Sequence, residues 1–227
     1  MNRLNPLHEW DVSWQEALAL QKMLGPRVST QAPALFHVKY VAGVDVSHEL
    51  YSPEIYAAVV VLDAQTKQLV ETQSDFYKTT FPYRPGFLSF RELPAVLKAF
   101  EKIKTPVDLV MVDGQGIAHS RRLGIASHLG LWLDIPTIGC GKSILFGHSR
   151  PIEPDQITSP ILSPRGEKLG FAVQTRKRAR PMYISPGHKI DTTTAVQRVL
   201  EMCIGYRMPE PTRLAHIAAN EARKAGY

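Results

Sequence analysis

Two short apolar segments of this chain each carry an aspartate at a place where a buried strand is predicted. Residues 41–47 read Val-Ala-Gly-Val-Asp-Val-Ser, and residues 109–113 read Leu-Val-Met-Val-Asp. Runs of β-branched and other apolar residues of this length indicate buried strands. A carboxylate there is costly unless it is paired, hydrogen-bonded or bound to a metal. Asp45 and Asp113 are therefore predicted to lie at a functional site near the edge of a sheet.

A third acidic residue, Glu92, ends the segment Phe-Leu-Ser-Phe-Arg-Glu at residues 87–92. The apolar residues that follow recur at helical spacing, which places Glu92 in the first turn of a helix over about 89–102. Carboxylates held close together repel one another unless a cation neutralises them. Mg²⁺ prefers oxygen ligands and completes its shell with water and substrate phosphate. The three acids together predict a metal-dependent phosphodiesterase.

The composition agrees with a polyanionic partner. The chain of 227 residues has 27 Lys and Arg against 21 Asp and Glu, a net charge of +6, and such a balance favours a polyanionic partner such as nucleic acid. Cys140 and Cys203 are too few for a disulfide framework or a zinc site. The sequence shows no signal-peptide core and no apolar run of the roughly 20 residues that span a bilayer. We expect a cytoplasmic protein without a membrane partner.

The order of predicted elements indicates the fold class. Residues 38–47, 55–63 and 67–79 predict three consecutive strands, and a strand at about 107–113, a helix at 120–132 and a strand at 136–140 follow the helix that carries Glu92. This is the order of an α/β ribonuclease H-like domain, a mixed five-stranded sheet flanked by helices. Its first and fourth strands are neighbours, which would bring Asp45 beside Asp113.

The remaining segments complete a single predicted domain over residues 1–227. An N-terminal helix is predicted at about 13–25, between the capping residue Ser13 and the stop at Gly25-Pro26. A short hairpin is predicted at 161–175. Two further helices are predicted at about 191–203 and 211–224. The catalytic core is expected to run from about residue 35 to 220.

Four motifs together resemble bacterial endonuclease V, over about residues 35–220. They are Val-Ala-Gly-Val-Asp-Val-Ser at 41–47, Pro-Tyr-Arg-Pro-Gly-Phe-Leu-Ser-Phe-Arg-Glu at 82–92, Asp-Gly-Gln-Gly-Ile-Ala-His-Ser-Arg-Arg-Leu-Gly-Ile-Ala-Ser-His-Leu-Gly at 113–130, and Pro-Thr-Ile-Gly at 136–139. The long third block is highly specific. The resemblance implies a Mg²⁺-dependent enzyme, with Mn²⁺ as a substitute, that recognises deoxyinosine in DNA. It implies hydrolysis of the second phosphodiester bond on the 3′ side of the lesion.

The resemblance also assigns catalytic roles. The metal-binding carboxylates carry over to Asp45, Glu92 and Asp113, which agrees with the reasoning from the strands. Lys142 takes the place of a cation near the scissile phosphate or the attacking water. His216 lies where the family carries His or Asp close to the metal, so it is expected to orient water or help hold the ion. The number of metal ions stays open.

Residues 82–86, Pro-Tyr-Arg-Pro-Gly, form a segment that we call the wedge loop. Two prolines with fixed φ angles stiffen it around Tyr83, and a rigid aromatic can fill the gap left when a base leaves the stack. By resemblance, Tyr83 is the strand-separating wedge. Arg84 stands where the family usually has an apolar residue. The family's hypoxanthine pocket corresponds to six positions: Gly86, Leu88, Gly114, Gly116, Ile125 and Leu145.

Six basic residues are predicted to contact phosphate. Arg176, Lys177 and Arg178 belong to a dense basic run, which suits a phosphate track that positions DNA without reading its sequence. Arg121 and Arg122 are expected at the start of a helix, whose N-terminus also attracts phosphate. Arg91, beside Glu92, completes the set.

Two alternative functions remain open at this point. One keeps the chemistry and changes the substrate to inosine in RNA; the residue at 115, Gln, and the Arg121-Arg122 pair favour the bacterial DNA enzyme. The other is a protein that binds the lesion without cleaving it, against which the three intact acids argue. In each case we expect a monomer whose partner is nucleic acid containing deoxyinosine or inosine.

Overall fold

The computed structural model of the protein describes residues 4–33, 36–50 and 52–226. Residues 1–3 and 227, the ends of the predicted domain, and residue 35, the predicted start of the core, lie outside the described residues. Helix α1, Trp14–Leu24, begins after the predicted N-cap Ser13. The Ser13 hydroxyl accepts from the backbone N–H of Glu16, and the Glu16 side chain accepts from the Ser13 N–H, a reciprocal cap that stabilises the first turn.

The five predicted strands are present and lie next to one another in the sheet. They are β1 Tyr40–Ser47, β2 Glu54–Asp63, β3 Leu69–Lys78, β4 Leu109–Val112 and β5 Thr137–Gly141. They lie in the order β3-β2-β1-β4-β5. β1 is antiparallel to β2 and parallel to β4, and β5 is parallel to β4. This is the mixed ribonuclease H-like arrangement that the order of elements predicts.

The sheet is larger than predicted. Beyond β5 the described residues add four antiparallel strands, so the sheet has nine strands rather than five. They are β6 His148–Ser149, β7 Thr158–Leu162, β8 Lys168–Val173 and β9 Met182–His188. β7 and β8 form the predicted hairpin. β9 was not predicted because it contains Pro186, which has no N–H to donate to a neighbouring strand and so argues against a central strand. Pro186 pairs with Ile138, next to a register shift in β5.

Helices cover both faces of the sheet. The helices are α2 Leu88–Glu101, α3 Ile125–Leu133, α4 Thr192–Glu201 and α5 Glu210–Ala225. Side chains of α2 and α3 pack with Ala42, Val44 and Val112 in one core cluster. Side chains of α4 and α5 pack with Val41 and Met111 in another. No helix among the described residues is long and apolar enough to cross a bilayer.

The helix predicted at 120–132 begins five residues later than predicted, at Ile125. The residues before it form a loop that packs on β9. The Ile117 N–H donates to the Pro186 carbonyl at 2.7 Å, and the Gly116 N–H donates to the Ser185 hydroxyl at 2.9 Å. The glycine-rich sequence thus lets the backbone of this loop lie close to the backbone of β9.

β1 and α5 approach each other closely at Gly43. A Cβ built on Gly43 would lie 2.0 Å from the carbonyl oxygen of Pro211 in α5. The contact needs glycine, because only a residue without a side chain lets the helix backbone rest on the strand. It brings α5 over the strand that carries Asp45.

Gly43→Ala should therefore destabilise the protein strongly. The added methyl group meets backbone rather than a flexible side chain, so we expect a loss of about 3 kcal/mol or more in the free energy of unfolding, measured in urea. Gly205→Ala is the control: its φ of +89° is unfavourable for alanine, but a Cβ there meets no atom within 4 Å. Its loss should be about 1–2 kcal/mol. Equal losses in the two variants would contradict the packing argument.

Candidate active site

Asp45 and Asp113 lie side by side at the ends of neighbouring parallel strands, as predicted. The N–H of Asp113 donates to the carbonyl of Val44 at 3.1 Å, which extends the β1 and β4 pairing by one residue. Both carboxylates leave the sheet at the carboxyl ends of these strands. Burial, followed by the charge of Asp113, raises the pKa of Asp45 to about 6.

Glu92 reaches the same place from α2. It is buried, but because α2 begins at Leu88 it lies in the second turn of the helix rather than in the predicted first turn. Burial, followed by the charges of Asp45 and Asp113, raises the pKa of Glu92 to about 8. A carboxyl group with this pKa is held close to other negative charge in a poorly hydrated place. The three acids from three separate segments therefore form one electrostatic cluster.

Two polar side chains contact the aspartates of this cluster. Lys142, which follows β5, forms an ion pair with the Asp113 carboxylate. The Nδ1 atom of His216 on α5 lies 2.7 Å from Oδ2 of Asp45. The structure thus brings all five predicted catalytic residues together. Lys142 and His216 remain about half exposed, so both can also meet a ligand.

Two side chains that support this cluster were not predicted. The amide of Gln115 donates to the carbonyl of Ser143 at 2.7 Å and so holds the loop that carries Lys142. The guanidinium of Arg207 donates to the carbonyl of Lys142 at 3.0 Å from the other side. Sequence spacing could not reveal either contact, because the partners lie 28 and 65 residues apart.

His216 also has a second partner. The Asn220 side chain, one helical turn later in α5, lies 3.2 Å from Nε2 of His216 and donates to the His216 carbonyl at 2.8 Å. The hydroxyl of Ser47 on β1 donates to Oδ1 of Asn220 at 2.8 Å. The imidazole is therefore fixed between Asp45 and Asn220. The spacing of four residues in a helix was the signal that could have identified Asn220.

The donor chemistry of the cluster fits a hard divalent cation. Carboxylate oxygens are the protein ligands that Mg²⁺ prefers. Burial and the neighbouring carboxylates raise the pKa values of Asp45 and Glu92, and a bound cation would favour the ionised forms. As the side chains stand, however, no group of three or more His, Cys, Asp or Glu in the described part of the chain is spaced to hold an ion. Binding would require the carboxylates to turn towards one point.

A cavity of about 320 Å³ opens beside the acids. Its wall includes Asp113 and Lys142. Five of the six predicted pocket residues line it: Gly86, Leu88, Gly114, Ile125 and Leu145. Gly114 has a φ of +155°, and a Cβ there would lie 2.5 Å from a methyl carbon of Ile125. The glycine therefore keeps this wall of the cavity free.

Gly116 is a correction to the predicted pocket. It is buried and is absent from the residues that line the cavity. A Cβ on Gly116 would lie 1.9 Å from the carbonyl oxygen of Pro186. The residue is glycine because the loop after β4 must rest on β9, and its role is structural.

The wedge loop forms the rim of the cavity. Tyr83 is 68% exposed, although aromatic side chains usually bury most of their surface. Tyr83, Arg84 and Pro85 all line the opening. The Arg84 guanidinium lies 5.0 Å from the centre of the Trp14 ring on α1. The structure thus places a rigid, exposed aromatic ring at the mouth of the pocket.

Arg91 is a second correction. It was predicted to contact phosphate, but it is buried. Its guanidinium donates to the carbonyl of Phe81 at 2.9 Å and to the carbonyl of Ser52 at 2.7 Å. These bonds satisfy both terminal nitrogens inside the protein, so Arg91 holds neighbouring segments together instead.

Arg121 and Arg122 do not lie at a helix N-terminus, because α3 begins at Ile125. Arg122 forms an ion pair with Glu167. Arg121 donates to the carbonyl of Gly86 at 3.0 Å. Both guanidinium groups thus have intramolecular partners, and the helix-dipole argument for their phosphate contacts is wrong.

The predicted basic run lies on the surface. Arg176, Lys177 and Arg178 are exposed in the loop between β8 and β9. Arg207 joins this loop to the active site, since its Nε donates to the carbonyl of Arg180 at 2.8 Å while another nitrogen binds the Lys142 carbonyl. The position suits a phosphate track that leads to the acids, and the phosphate contacts themselves stay predictions.

Comparison with known proteins decides the family. A model of the family described as Endonuclease V matches residues 22–217. The chain belongs to the endonuclease V family. An endonuclease V from Trichormus variabilis is 48% identical over 208 residues, which cover 92% of this chain and 94% of that protein.

Solved endonuclease V structures share the fold. The crystal structure of the Streptomyces avermitilis protein matches with a TM-score of 0.89 at 34% identity and covers 98% of each chain. A structure of Ciona intestinalis endonuclease V, in complex with a 24mer DNA that contains an inosine followed by a ribo-adenosine, matches with a TM-score of 0.82 at 27% identity. It covers 93% of this chain and 98% of that one. The family and the ribonuclease H-like fold predicted from the motifs are thus confirmed.

Replacing Glu92 by Gln should change how the stability of the metal-free protein depends on pH. The pKa of Glu92 rises from 4.5 to about 8 on folding, so between these values the folded protein holds a proton that the unfolded chain has lost. The free energy of unfolding should therefore fall as the pH rises through this interval. Glu92→Gln should remove that part of the fall, as measured by urea unfolding in EDTA.

Glu101→Gln is the matched control, because Glu101 ends the same helix and is exposed. It should keep the wild-type dependence on pH. If Glu92→Gln and wild type lose stability in parallel as the pH rises, Glu92 is ionised in the folded protein throughout this interval, contrary to its raised pKa.

Proposed function

We propose that this protein is a DNA repair endonuclease that recognises deoxyinosine and hydrolyses the second phosphodiester bond on its 3′ side. One observation carries the proposal: the cavity shares Asp113 and Lys142 with the acidic cluster, and Tyr83 stands exposed at its rim. If a base is held in the cavity, the phosphodiester backbone next to its nucleotide would lie beside the acids. Membership of the family and the inosine-containing DNA bound by the Ciona protein support this substrate.

The cavity suits a flipped base. Its volume of about 320 Å³ lies at the lower end of the roughly 300–1,000 Å³ found for ligand pockets. Apolar side chains of Leu88 and Ile125 can pack on the faces of a purine. Backbone of Gly86 and Gly114 can approach its edge, because neither residue has a side chain.

Discrimination against adenine rests on the hydrogen-bonding edge. Hypoxanthine presents an acceptor at O6 and a donor at N1–H, whereas adenine presents the opposite pattern. A backbone N–H facing O6 and a carbonyl facing N1–H would each lose their partner with adenine. Unpaired buried polar groups cost about 1–3 kcal/mol each, so two of them can separate the bases by a large factor.

The protein's own groups have separate roles in the hydrolysis. Asp45, Glu92 and Asp113 would hold Mg²⁺, for which Mn²⁺ can substitute, and the ion would stabilise negative charge on the phosphate and promote ionisation of the attacking water. Lys142 places positive charge at the cavity wall, where the scissile phosphate would pass. His216 holds one oxygen of Asp45 and so fixes the orientation of that carboxylate.

Substitution of the acids should separate binding from cleavage. Asp45→Asn and Asp113→Asn each remove one charge from the cluster while keeping its shape. We expect nicking of deoxyinosine DNA to fall by about three orders of magnitude or more, since several kcal/mol of transition-state stabilisation are lost. Binding measured by fluorescence anisotropy should persist.

Asp155 is exposed, and Asp155→Asn is the matched control, which should leave nicking unchanged. If both active-site variants lose binding in step with cleavage, the substitutions have disrupted the fold. If they cut at the wild-type rate, the acids do not carry the reaction.

The substrate itself is tested with an end-labelled duplex that holds one deoxyinosine. In Mg²⁺ or Mn²⁺ we expect one nick, one nucleotide beyond the lesion on its 3′ side, and none in EDTA or in the matched adenine duplex. Cleavage of an inosine RNA strand in preference to the DNA would show that RNA is the substrate. Binding of the lesion without any nick in either metal would show a lesion-binding protein instead.

A further inference from the structure

The carbonyl oxygen of Gly86, at the end of the wedge loop, accepts hydrogen bonds from three side chains. The donors are Nε2 of Gln21 at 2.8 Å, Nε2 of His119 at 2.9 Å and NH2 of Arg121 at 3.0 Å. A carbonyl oxygen has two lone pairs, so this acceptor is fully used. Gly86 itself has a φ of +78°, a conformation that favours glycine. The position of the loop end is therefore strongly determined.

His119 donates this bond as a neutral ring. Burial lowers the pKa of His119 to about 4. Its Nδ1 accepts from the backbone N–H of Arg121 at 3.1 Å, which leaves the ring proton on Nε2 and directs it to Gly86. Arg121 also lies over the ring of Phe87, with its guanidinium carbon 4.7 Å from the ring centre.

Gln21 is the member of this group that comes from α1. It is completely buried, which is unusual for a glutamine. Its amide nitrogen donates to Gly86, and its amide oxygen accepts from Nε of Arg121. One side chain of the N-terminal helix thus contacts both the wedge loop and the arginine that supports it.

α1 contacts the wedge loop at further points. The ring of Trp14 lies 5.0 Å from the guanidinium carbon of Arg84, next to Tyr83 in sequence. Ala17 packs in one buried cluster with Phe81 and Phe87, the residues on either side of the loop. The loop is thus held by α1 before, within and after its five residues.

We propose that Gln21 and Trp14 are positioning residues that hold the wedge loop in the orientation in which Tyr83 separates the DNA strands. This inference rests on the proposed function. The sequence places α1 outside the catalytic core, but its side chains contact the loop that carries Tyr83, at Arg84 and at Gly86. Within the loop, Pro82 and Pro85 limit the backbone, so the contacts at its ends decide where Tyr83 points.

A loose wedge has a specific consequence. Separating a paired base from its partner and neighbours costs a few kcal/mol, and this cost is absent when the base is already unpaired. A Tyr83 ring that is already held in place offsets more of this cost than a mobile ring, because less conformational freedom is lost on binding. Loss of the α1 contacts should therefore impair paired substrates and spare unpaired ones.

The test compares two substrates with the same inosine strand, one in a fully paired duplex and one single-stranded. Gln21→Met keeps the size of the side chain and removes its donor and acceptor, while Trp14→Ala removes an exposed ring. We expect each variant to lower kcat/KM for the duplex about tenfold relative to the single strand, as loss of one buried hydrogen bond or cation–π contact would. Met23→Ala, another exposed apolar residue of α1, should leave the ratio unchanged.

A merely structural role gives a different result. If Gln21→Met lowers cleavage of both substrates equally, or leaves both unchanged, the positioning role is overturned. Because Trp14 and Arg84 act through one contact, Trp14→Ala and Arg84→Leu should not be additive in the duplex to single-strand ratio. Fully additive effects would exclude that contact as the cause.

Hydrogen exchange in the free protein separates this inference from the proposed function. The backbone amides of residues 83–88, apart from Pro85, which has no N–H, should exchange about tenfold faster in Gln21→Met and Trp14→Ala than in wild type and Met23→Ala, because the loop opens more often. This measurement needs no cleavage. Faster exchange in a protein that cuts neither inosine substrate would reject the proposed function and still show that Gln21 and Trp14 hold the wedge loop. Unchanged exchange would overturn their positioning role even in an active enzyme.

Discussion

Three carboxyl groups held beside one another in a poorly hydrated place, where their ionised forms repel, are the constraint on which the rest of the site depends. Asp45, Glu92 and Asp113 come from β1, α2 and the end of β4, and their mutual repulsion adds to the cost of burial. Neighbouring side chains partly offset this cost. His216 contacts Asp45, and Lys142 contacts Asp113. A cation that meets all three acids would complete the compensation, which explains why a site of this kind suits metal-assisted phosphate chemistry.

The fold delivers these groups through backbone contacts that leave no room for side chains. Gly43 lets α5 rest on β1, which brings His216 to Asp45, and Gly116 lets the loop after Asp113 rest on β9. The cavity forms where this loop, the wedge loop and the segment around Lys142 meet. Its walls are therefore set by packing between distant segments. A side chain added at Gly43 or Gly116 would push these segments, and the groups they carry, apart.

Much of the site could be predicted because its chemistry is local in sequence. An acid within or just after an apolar strand is visible without a structure, and Asp45 and Asp113 are neighbours as the strand order requires. Arg91 was assigned wrongly because its neighbour in sequence, Glu92, faces the site while its own guanidinium binds the carbonyls of Phe81 and Ser52. Gly116 was assigned wrongly because a glycine near a ligand and a glycine under a strand have the same sequence signal.

The sequence by itself determined the family, five strands of the sheet and the three acids that meet at the candidate site, because these depend on periodicity and on motifs of adjacent residues. Only the tertiary structure decided which surfaces meet. It extended the sheet to nine strands, fixed His216 against Asn220, and brought Gln21 of α1 to the carbonyl of Gly86, 65 residues away. Such contacts depend on how helices and loops pack across the sheet, and no local pattern of residues records that geometry.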